Sequence, residues 1–173
     1  MAGVRTEFLE AESERLSMVE VRVEREYEFG AETVWAVFAD FGNVGWVPGI
    51  EKVELEGEGV GMIRHLSVPV FPQLHERLES IDHEGKVLEY SIPEVEYIGV
   101  KNYRARAQVV DLGTGRCRVR MSCRAEAAGV PEAEAAVKTR AFYAAMLGWV
   151  DDFVKQAAVA TGPAEAGIEG AER

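Results

Sequence analysis

The segment from Pro131 to Ala157, PEAEAAVKTRAFYAAMLGWVDDFVKQA, decides the fold of this chain. Pro131 suits the first position of a helix, where an amide proton would have no partner, and Glu132 and Glu134 complement the positive end of the helix dipole. At 3.6 residues per turn, the bulky apolar side chains fall on one broad face. That face consists of Phe142, Tyr143, Met146, Leu147, Trp149, Val150, Phe153 and Val154. We therefore predict one long amphipathic C-terminal helix of about 40 Å.

The residues before this helix predict the surface that it covers. Seven segments alternate apolar and polar side chains, as half-buried strands do. They span residues 19–27, 50–56, 62–68, 73–82, 86–92, 100–112 and 116–127. Two short helices are expected between the first and second strands. Short turns between the other strands indicate an antiparallel sheet with one covered face. The predicted fold class is α+β, with a curved antiparallel sheet of about seven strands gripping the long C-terminal helix.

The length of 173 residues suits one domain. Residues 1–17 are polar with scattered apolar side chains, and we expect a flexible or weakly docked lead. Residues 18–158 form the predicted domain. Residues 159–173 contain mostly glycine, alanine and glutamate, and we expect a disordered tail.

Composition and charge exclude several classes of function. The formal net charge of −11 disfavours nucleic acid and anionic membrane surfaces as partners. No run of eighteen apolar residues predicts a transmembrane segment, and the N-terminal residues lack the apolar core of a signal peptide. Cys117 and Cys123 lie six residues apart on one predicted strand, too far for a disulfide, so we expect buried thiols and a cytoplasmic protein.

Motifs for metal, acyl-serine or nucleotide chemistry are absent from the sequence. The three histidines, His65, His75 and His83, are interpreted as surface residues, the first two as cross-strand neighbours. We therefore expect no metal and no cofactor.

The predicted hairpins place polar side chains on the concave, helix-facing side of the sheet. If the Pro69–Pro72 loop is centred near Val70, Arg64 lies opposite Glu76. Leu66, Leu74 and Leu78 share their face. The glycine-rich turn after the sixth strand likewise pairs Val109 with Val119 and Ala107 with Met121, whereas the Glu84-Gly85 turn brings Tyr90 near Ser80.

The inner surface is therefore apolar but interrupted by Arg64, Glu76, Tyr90 and Tyr103, with Ser80 and Tyr27 as further candidates. Polar groups that converge in an apolar concavity favour a ligand pocket. The alternative is that the ion pair satisfies itself and that the tyrosine hydroxyls bond to backbone or water. Small inward side chains leave space in either case, namely Ala105, Ala107 and Ala125.

Two predicted loops carry apolar side chains at one end of the sheet. Val70 and Phe71 lie between two prolines, and Val95 and Tyr97 lie in the loop at 93–99. These four residues are predicted to close over the mouth of a pocket. Packing against the helix or against a second chain is the alternative, which leaves a homodimer open.

A family resemblance rests on the order and spacing of several short motifs between about residues 18 and 158. They are Val34-Trp35 with Phe38 and Phe41, Trp46-Val47-Pro48-Gly49-Ile50, Gly61-Met62-Ile63-Arg64, His75-Glu76-Arg77-Leu78 with Ile81-Asp82, Leu88-Glu89-Tyr90-Ser91-Ile92, Asn102-Tyr103-Arg104-Ala105 and the final helix. The chain resembles the START/Bet v 1-like (SRPBCC) superfamily, the helix-grip fold, and within it the bacterial polyketide cyclase/dehydrase and lipid-transport group.

The resemblance implies a cavity between sheet and helix that binds a hydrophobic or amphipathic small molecule, such as a lipid, a sterol or a polyketide-like ring system. The residues then expected to bind the ligand are Arg64, Leu66, Glu76, Leu78, Tyr90, Tyr103, Ala105, Met121, Phe142, Met146 and Trp149. Both apolar loops match the gating loops of plant hormone receptors of this superfamily. Many relatives carry a tryptophan on the last strand where this chain has Met121-Ser122-Cys123, which puts the cavity floor in doubt.

Three functions stay open on the sequence, because fold alone does not define activity. Binding of an apolar ligand is favoured. The second is a polyketide aromatase/cyclase or dehydratase, with Glu76 as base, Tyr90 and Tyr103 as proton donors and Arg64 steadying an enolate. The third is a stress-response or assembly module without a ligand, with a partner on the small-residue stripe of the helix, Ala141, Ala145 and Gly148.

Overall fold

The computed structural model describes residues 18–69, 73–93 and 98–160. Seven strands and two helices follow one another within these ranges. They are β1 (Met18–Tyr27), α1 (Ala31–Ala39), β2 (Lys52–Glu56), β3 (Ile63–Ser67), β4 (Leu74–Asp82), β5 (Val87–Ile92), β6 (Val100–Gly113), β7 (Arg116–Ala127) and α2 (Glu132–Ala160). The predicted lead, 1–17, lies outside the described residues.

The strands form one antiparallel sheet in the order β1-β7-β6-β5-β4-β3-β2. From β2 to β7 each strand pairs with the next one along the chain, and β1 pairs with β7. The tight β6–β7 turn carries positive φ angles at Gly113, Thr114 and Gly115, a backbone conformation that glycine adopts at no steric cost. The predicted sheet of about seven strands and the long C-terminal helix are confirmed.

Helix α2 packs on the concave side through the face that its periodicity predicted. Tyr143, Leu147, Val150 and Val154 are buried there. Small inward side chains on β6 and β7 leave room for the two helices on this side of the sheet. These are Ala105, Ala107, Cys117, Cys123 and Ala125, all buried. Both cysteines are free thiols, as predicted.

One short helix, not two, follows β1 in the described chain. Beyond α1, the chain turns where the second short helix was expected, with hydrogen bonds from Asn43 N to Asp40 O (2.9 Å) and from Val47 N to Val44 O (2.8 Å). Closely spaced glycines and a proline are poor helix formers and account for the turns. They are Gly42, Gly45, Pro48 and Gly49.

Helix α2 runs three residues beyond the predicted end at Ala157. Val159 and Ala160, which were assigned to the disordered tail, therefore belong to the helix. The rest of that tail, residues 161–173, lies outside the described residues.

Strand registers agree with the predictions in β3–β4 and in β6–β7. Arg64 lies opposite Glu76, and Val109 lies opposite Val119. The β4–β5 prediction was wrong, because the register shifts between Leu78 and Ser80. An extra residue in a strand reverses the inward and outward alternation beyond it. Tyr90 consequently faces Leu78, whereas Ser80 is exposed.

Candidate ligand-binding cavity

A cavity of about 270 Å³ lies between α2, strands β3 and β4, and the turns that precede β2. Its wall is mostly apolar. The lining residues are Val44, Trp46, Val47, Pro48, Ile50, Arg64, Leu66, Val68, Leu74, Glu76, Tyr90, Ile98, Phe142, Met146 and Trp149. An apolar concavity with a few convergent polar groups has the composition of a small-molecule site.

A buried ion pair provides the charged groups of this wall. Arg64 Nε donates to Glu76 Oε2 at 2.5 Å, and both residues are less than a tenth exposed. A second guanidinium nitrogen of Arg64 donates to the carbonyl oxygen of Phe41 at 2.6 Å, and the guanidinium carbon lies 4.0 Å from the centroid of the Phe41 ring. Such a cation–ring contact holds the arginine in place. Because the two charges cancel, the cavity wall is neutral overall and still polar at one point.

The inward tyrosines form a layer beside the ion pair. The Tyr90 ring lies 5.8 Å from the Arg64 guanidinium carbon and 6.1 Å from the Tyr103 ring centroid. Tyr103 and Tyr143 join their hydroxyls in a short hydrogen bond, and Tyr143 also donates to the carbonyl oxygen of Ser122 at 3.3 Å. Burial raises the pKa of Tyr103 and of Tyr143, so both stay protonated at neutral pH.

The structure brings seven of the eleven predicted ligand-binding residues to the cavity wall. They are Arg64, Leu66, Glu76, Tyr90, Phe142, Met146 and Trp149. Met121 borders a separate void of about 20 Å³ beside the cavity. Leu78, Tyr103 and Ala105 are buried in the core and do not line the cavity. Tyr103 is set back because the Tyr90 ring stands near it on the neighbouring strand.

The predicted gate residues Val70, Phe71, Val95 and Tyr97 lie outside the described residues. Their role stays a prediction. Wall residue Val68 belongs to the segment that leads into the first of these loops, and wall residue Ile98 follows the second.

The segment between α1 and β2 supplies five wall residues that the sequence reasoning missed: Val44, Trp46, Val47, Pro48 and Ile50. The sequence predicted a second short helix and the start of a strand here, and the density of apolar side chains did not by itself show that the segment lines a cavity. The Trp46 indole Nε1 donates to the carbonyl oxygen of Asn43 at 3.2 Å, which fixes the ring against the cavity.

The outward face of β3 and β4 carries the predicted histidine neighbours. His65 Nδ1 and His75 Nδ1 are 2.5 Å apart, and His65 Nε2 lies 3.1 Å from Glu56 Oε2. Within residues 18–69, 73–93 and 98–160, no three histidine, cysteine or acidic side chains form a group suited to a metal ion. Neither helix in those ranges combines the length and apolarity needed to cross a membrane.

The fold and the cavity together define a helix-grip protein of the Bet v 1-like class. A profile of the family described as "Polyketide cyclase / dehydrase and lipid transport" matches residues 18–159, and the chain belongs to this family. No curated protein sequence matches the chain.

Solved structures repeat the fold. An uncharacterized protein from Bacillus thuringiensis is 24% identical, covers 79% of this chain and 99% of its own, and superposes with a TM-score of 0.71. Norcoclaurine synthase from Thalictrum flavum, in complex with dopamine and hydroxybenzaldehyde, is 24% identical over 80% of this chain and 87% of its own, with a TM-score of 0.63. Ara h 8.0201 is 13% identical, covers 80% of this chain and 99% of its own, and superposes with a TM-score of 0.65.

Proposed function

We propose that this protein binds a small hydrophobic or amphipathic molecule in the cavity between the sheet and α2. The observation that carries the proposal is the cavity itself, an apolar concavity whose wall holds one preorganised polar group, the Arg64–Glu76 pair. A core built only for stability would be filled to the density of an organic crystal. Here the helix and the strands leave a volume that a ligand can occupy.

The size and charge of the cavity narrow the class of ligand. Its volume of about 270 Å³ is near the lower end of the range of small-molecule sites. The charges of Arg64 and Glu76 cancel, so a neutral ligand meets no uncompensated charge. A compact ring system with one hydroxyl or carbonyl group would place its apolar body among Leu66, Met146 and Trp149. Its polar end would face the ion pair.

The family and the neighbours support this proposal at a coarser level. The family description includes lipid transport. Norcoclaurine synthase, which shares the fold, was solved with dopamine and hydroxybenzaldehyde, two small aromatic molecules. These likenesses indicate that the fold accommodates compact ligands, and the residues above supply the argument for this chain.

A neutral fluorescent probe, N-phenyl-1-naphthylamine, tests the cavity directly. Val68→Trp introduces bulk at the cavity wall, and Val110→Trp introduces the same bulk on β6 at a position outside the wall. We expect Val68→Trp to weaken probe binding by about tenfold, the effect of losing roughly 1.4 kcal/mol, and Val110→Trp to leave it unchanged. Equal affinity in both variants would contradict binding in this cavity. Native mass spectrometry of the freshly purified protein would then identify any retained molecule.

A second candidate function is catalysis on a polyketide-like substrate, because Glu76, Arg64 and Tyr90 share one wall of the cavity. Glu76 Oε2 is bound by Arg64, so its other carboxylate oxygen would act as the base, and Tyr90 would donate a proton. The conservative variant Glu76→Gln should then retain the naphthylamine probe and lose turnover of a poly-β-ketone. Turnover that survives in Glu76→Gln would exclude this role.

A cytoplasmic location and a homodimer remain predictions. The two buried free thiols of Cys117 and Cys123 support the former. Size-exclusion chromatography with light scattering would decide the latter.

A further inference from the structure

The convex face of the sheet, opposite the cavity, carries a notch of about 390 Å³ over β1, β7 and β6. We call it the arginine notch. The outward residues that line it are Glu20, Arg22, Glu89, Arg104, Arg106, Ser122 and Arg124, and the inward-facing, buried residues Val21, Ala105 and Cys123 lie between them along the strands at its floor. None of them lines the cavity on the other side of the sheet, and the function proposed above uses none of them.

Strand registers place one small side chain, Ser122, at the centre of this notch. Its cross-strand neighbours are Arg22 on β1 and Arg106 on β6. Arg120 and Arg124 are two residues away on either side along β7 and point to the same face, since side chains alternate along a strand. Arg104 lies directly opposite Arg124. Four of these arginines line the notch with Ser122, and the fifth, Arg120, borders an adjoining depression that Ser122 shares. The serine side chain is too short to fill the space between them.

The glutamates around the notch do not balance these arginines. Arg106 pairs with Glu89 at 2.9 Å, Arg124 with Glu20 at 3.2 Å and Arg120 with Glu24 at 3.1 Å. Glu24 also forms an ion pair with Arg22. Five arginines thus meet three glutamates, a local excess of two positive charges on a chain whose net charge is −11.

Arg104 is the arginine that pairs with none of these three glutamates. Within the described residues, no carboxylate lies within 4.0 Å of it. Its direct cross-strand neighbours are Arg124 on β7 and Ser91 on β5. Like charges directly opposite in a sheet are unfavourable, and an anion between them would remove the repulsion. The ion pairs at the rim are exposed, so they are weak and can rearrange around such an anion.

We propose that the arginine notch binds the phosphoryl group of a small phosphorylated molecule. A phosphate monoester carries about −1.5 to −2 charges at pH 7, which matches the local excess of positive charge. The planar guanidinium fork accepts phosphate oxygens in pairs, so Arg104 and Arg106 can each donate two hydrogen bonds. Ser122 contributes a hydroxyl donor at the floor and leaves room for the tetrahedral group.

Titration of the full-length protein with inorganic phosphate at low ionic strength, followed by amide chemical shifts, tests this site. We expect the largest shifts at Arg104, Arg106, Ser122 and Arg124. Arg104→Gln should weaken binding by about tenfold, because a hydrogen bond to a charged group is lost. Arg116→Gln is the matched control, since Arg116 lies outward at the start of β7, outside the notch, and pairs with Glu26 and Glu28. It should bind phosphate as the wild type does.

A second variant keeps the test independent of Arg104. Ser122→Glu places a tethered carboxylate in the centre of the five arginines, so phosphate binding should be lost. Both notch variants should retain the naphthylamine probe, which separates this site from the cavity. Shifts that scatter over the surface, or equal phosphate affinity in Arg104→Gln and Arg116→Gln, would overturn the proposal. Binding to phosphatidylglycerol vesicles without binding to free phosphate would overturn the assignment to a small molecule.

Discussion

The two halves of the sheet hold the same helix in different ways. In the packed half, strands β1, β7 and β6, helix α2 lies mainly against β1 and β7, and Tyr143 on α2 reaches Tyr103 on β6. There the Tyr27 hydroxyl donates to the carbonyl oxygen of Leu147 at 2.8 Å, and Arg25 pairs with Asp151 at 2.7 Å. The open half, strands β2, β3 and β4, faces α2 across the cavity. Its inward charged side chains, Arg64 and Glu76, bond to each other, and Arg64 also donates to the carbonyl oxygen of Phe41.

This difference shows how one chain combines a stable core with space for a ligand. Alanine and cysteine on β6 and β7 leave room for the helices on the concave side, and α2 packs closely on β1 and β7. We therefore expect stability to be concentrated in the packed half. Bulky or polar wall residues and the turns before β2 surround the cavity in the open half. Changes in the packed half should therefore affect unfolding most, whereas changes in the open half should affect ligand binding, except where they leave a buried charge alone.

The largest expected effect comes from breaking the buried ion pair of the open half, Arg64–Glu76. Arg64→Met leaves the buried Glu76 carboxylate without its partner, which should lower the free energy of unfolding by about 3–5 kcal/mol at pH 7. The double variant Arg64→Met/Glu76→Leu removes both charges and should recover most of that loss. Urea unfolding of the three proteins measures it. A double variant no more stable than Arg64→Met would show that Arg64 acts through packing and not through charge.

A comparison of two helix residues tests the division between the halves. Leu147 is buried against the packed half, and Leu147→Ala should lower the free energy of unfolding by about 2–5 kcal/mol. Trp149 is half-buried on the cavity wall, and Trp149→Ala should lower it by less while weakening binding of the naphthylamine probe. Urea midpoints and probe titrations give both quantities. A larger stability loss in Trp149→Ala would reverse the assignment of the two halves.

Alkaline pH should destabilise the packed half through Cys117. Burial, and then the charge of Asp111, raise the pKa of the Cys117 thiol from 9.0 to about 11. Below pH 9 the thiol is protonated in both the folded and the unfolded chain, and its contribution to the free energy of unfolding is complete. Between about pH 9 and 11 the unfolded chain releases a proton that the folded chain keeps. Stability then falls by about 1.4 kcal/mol per pH unit from this group.

The Cys117→Ala variant isolates that contribution. Its urea midpoint should decline less steeply than that of the wild type between pH 9 and 10. The tyrosines and Cys123 also begin to lose protons in the unfolded chain over this range, but they do so in both proteins, so the difference in slope belongs to Cys117. Equal slopes in the two proteins would mean that the thiol does not titrate on unfolding.

The smallest expected effect is a gain in stability from a substitution in the packed half. Thr139 is fully buried on α2, and its hydroxyl has no hydrogen-bond partner among the described residues. Thr139→Val keeps the shape and removes an unsatisfied polar atom, which should raise the free energy of unfolding by about 1 kcal/mol. Thermal and urea unfolding measure the gain. A loss of stability would indicate that the hydroxyl is hydrogen-bonded in solution.

Much of the fold could be predicted because its signals are local. Period-two alternation identified all seven strands. The broad face of bulky apolar side chains on the last helix predicted which side of that helix is buried. The hairpin loop before β4 even placed Arg64 opposite Glu76. The Tyr90–Ser80 pairing failed because an extra residue at a bulge is invisible in an alternating pattern that continues on both sides of it.

The candidate site could be predicted only in part. The wall residues on strands and helix follow from which face is inward. Trp46, Val47 and Pro48 do not, because a connecting segment has no periodicity that says where it folds. Tyr103 is inward as expected, yet it stands behind Tyr90, since depth within a core depends on neighbours from other strands.

The sequence by itself determined the succession of the strands along the chain, the inward face of each one except beyond the bulge in β4, and the apolar face of the helix, since each depends on residues close along the chain. Only the tertiary structure decided how far α2 stands from each half of the sheet, and therefore where the cavity lies. That distance results from side-chain volumes on strands distant in sequence, such as Ala105 and Ala125 on one side and Arg64 and Leu66 on the other. The arginine notch has the same origin, because Arg22, Ser122 and Arg106 become neighbours only when β1 pairs with β7 and β7 with β6.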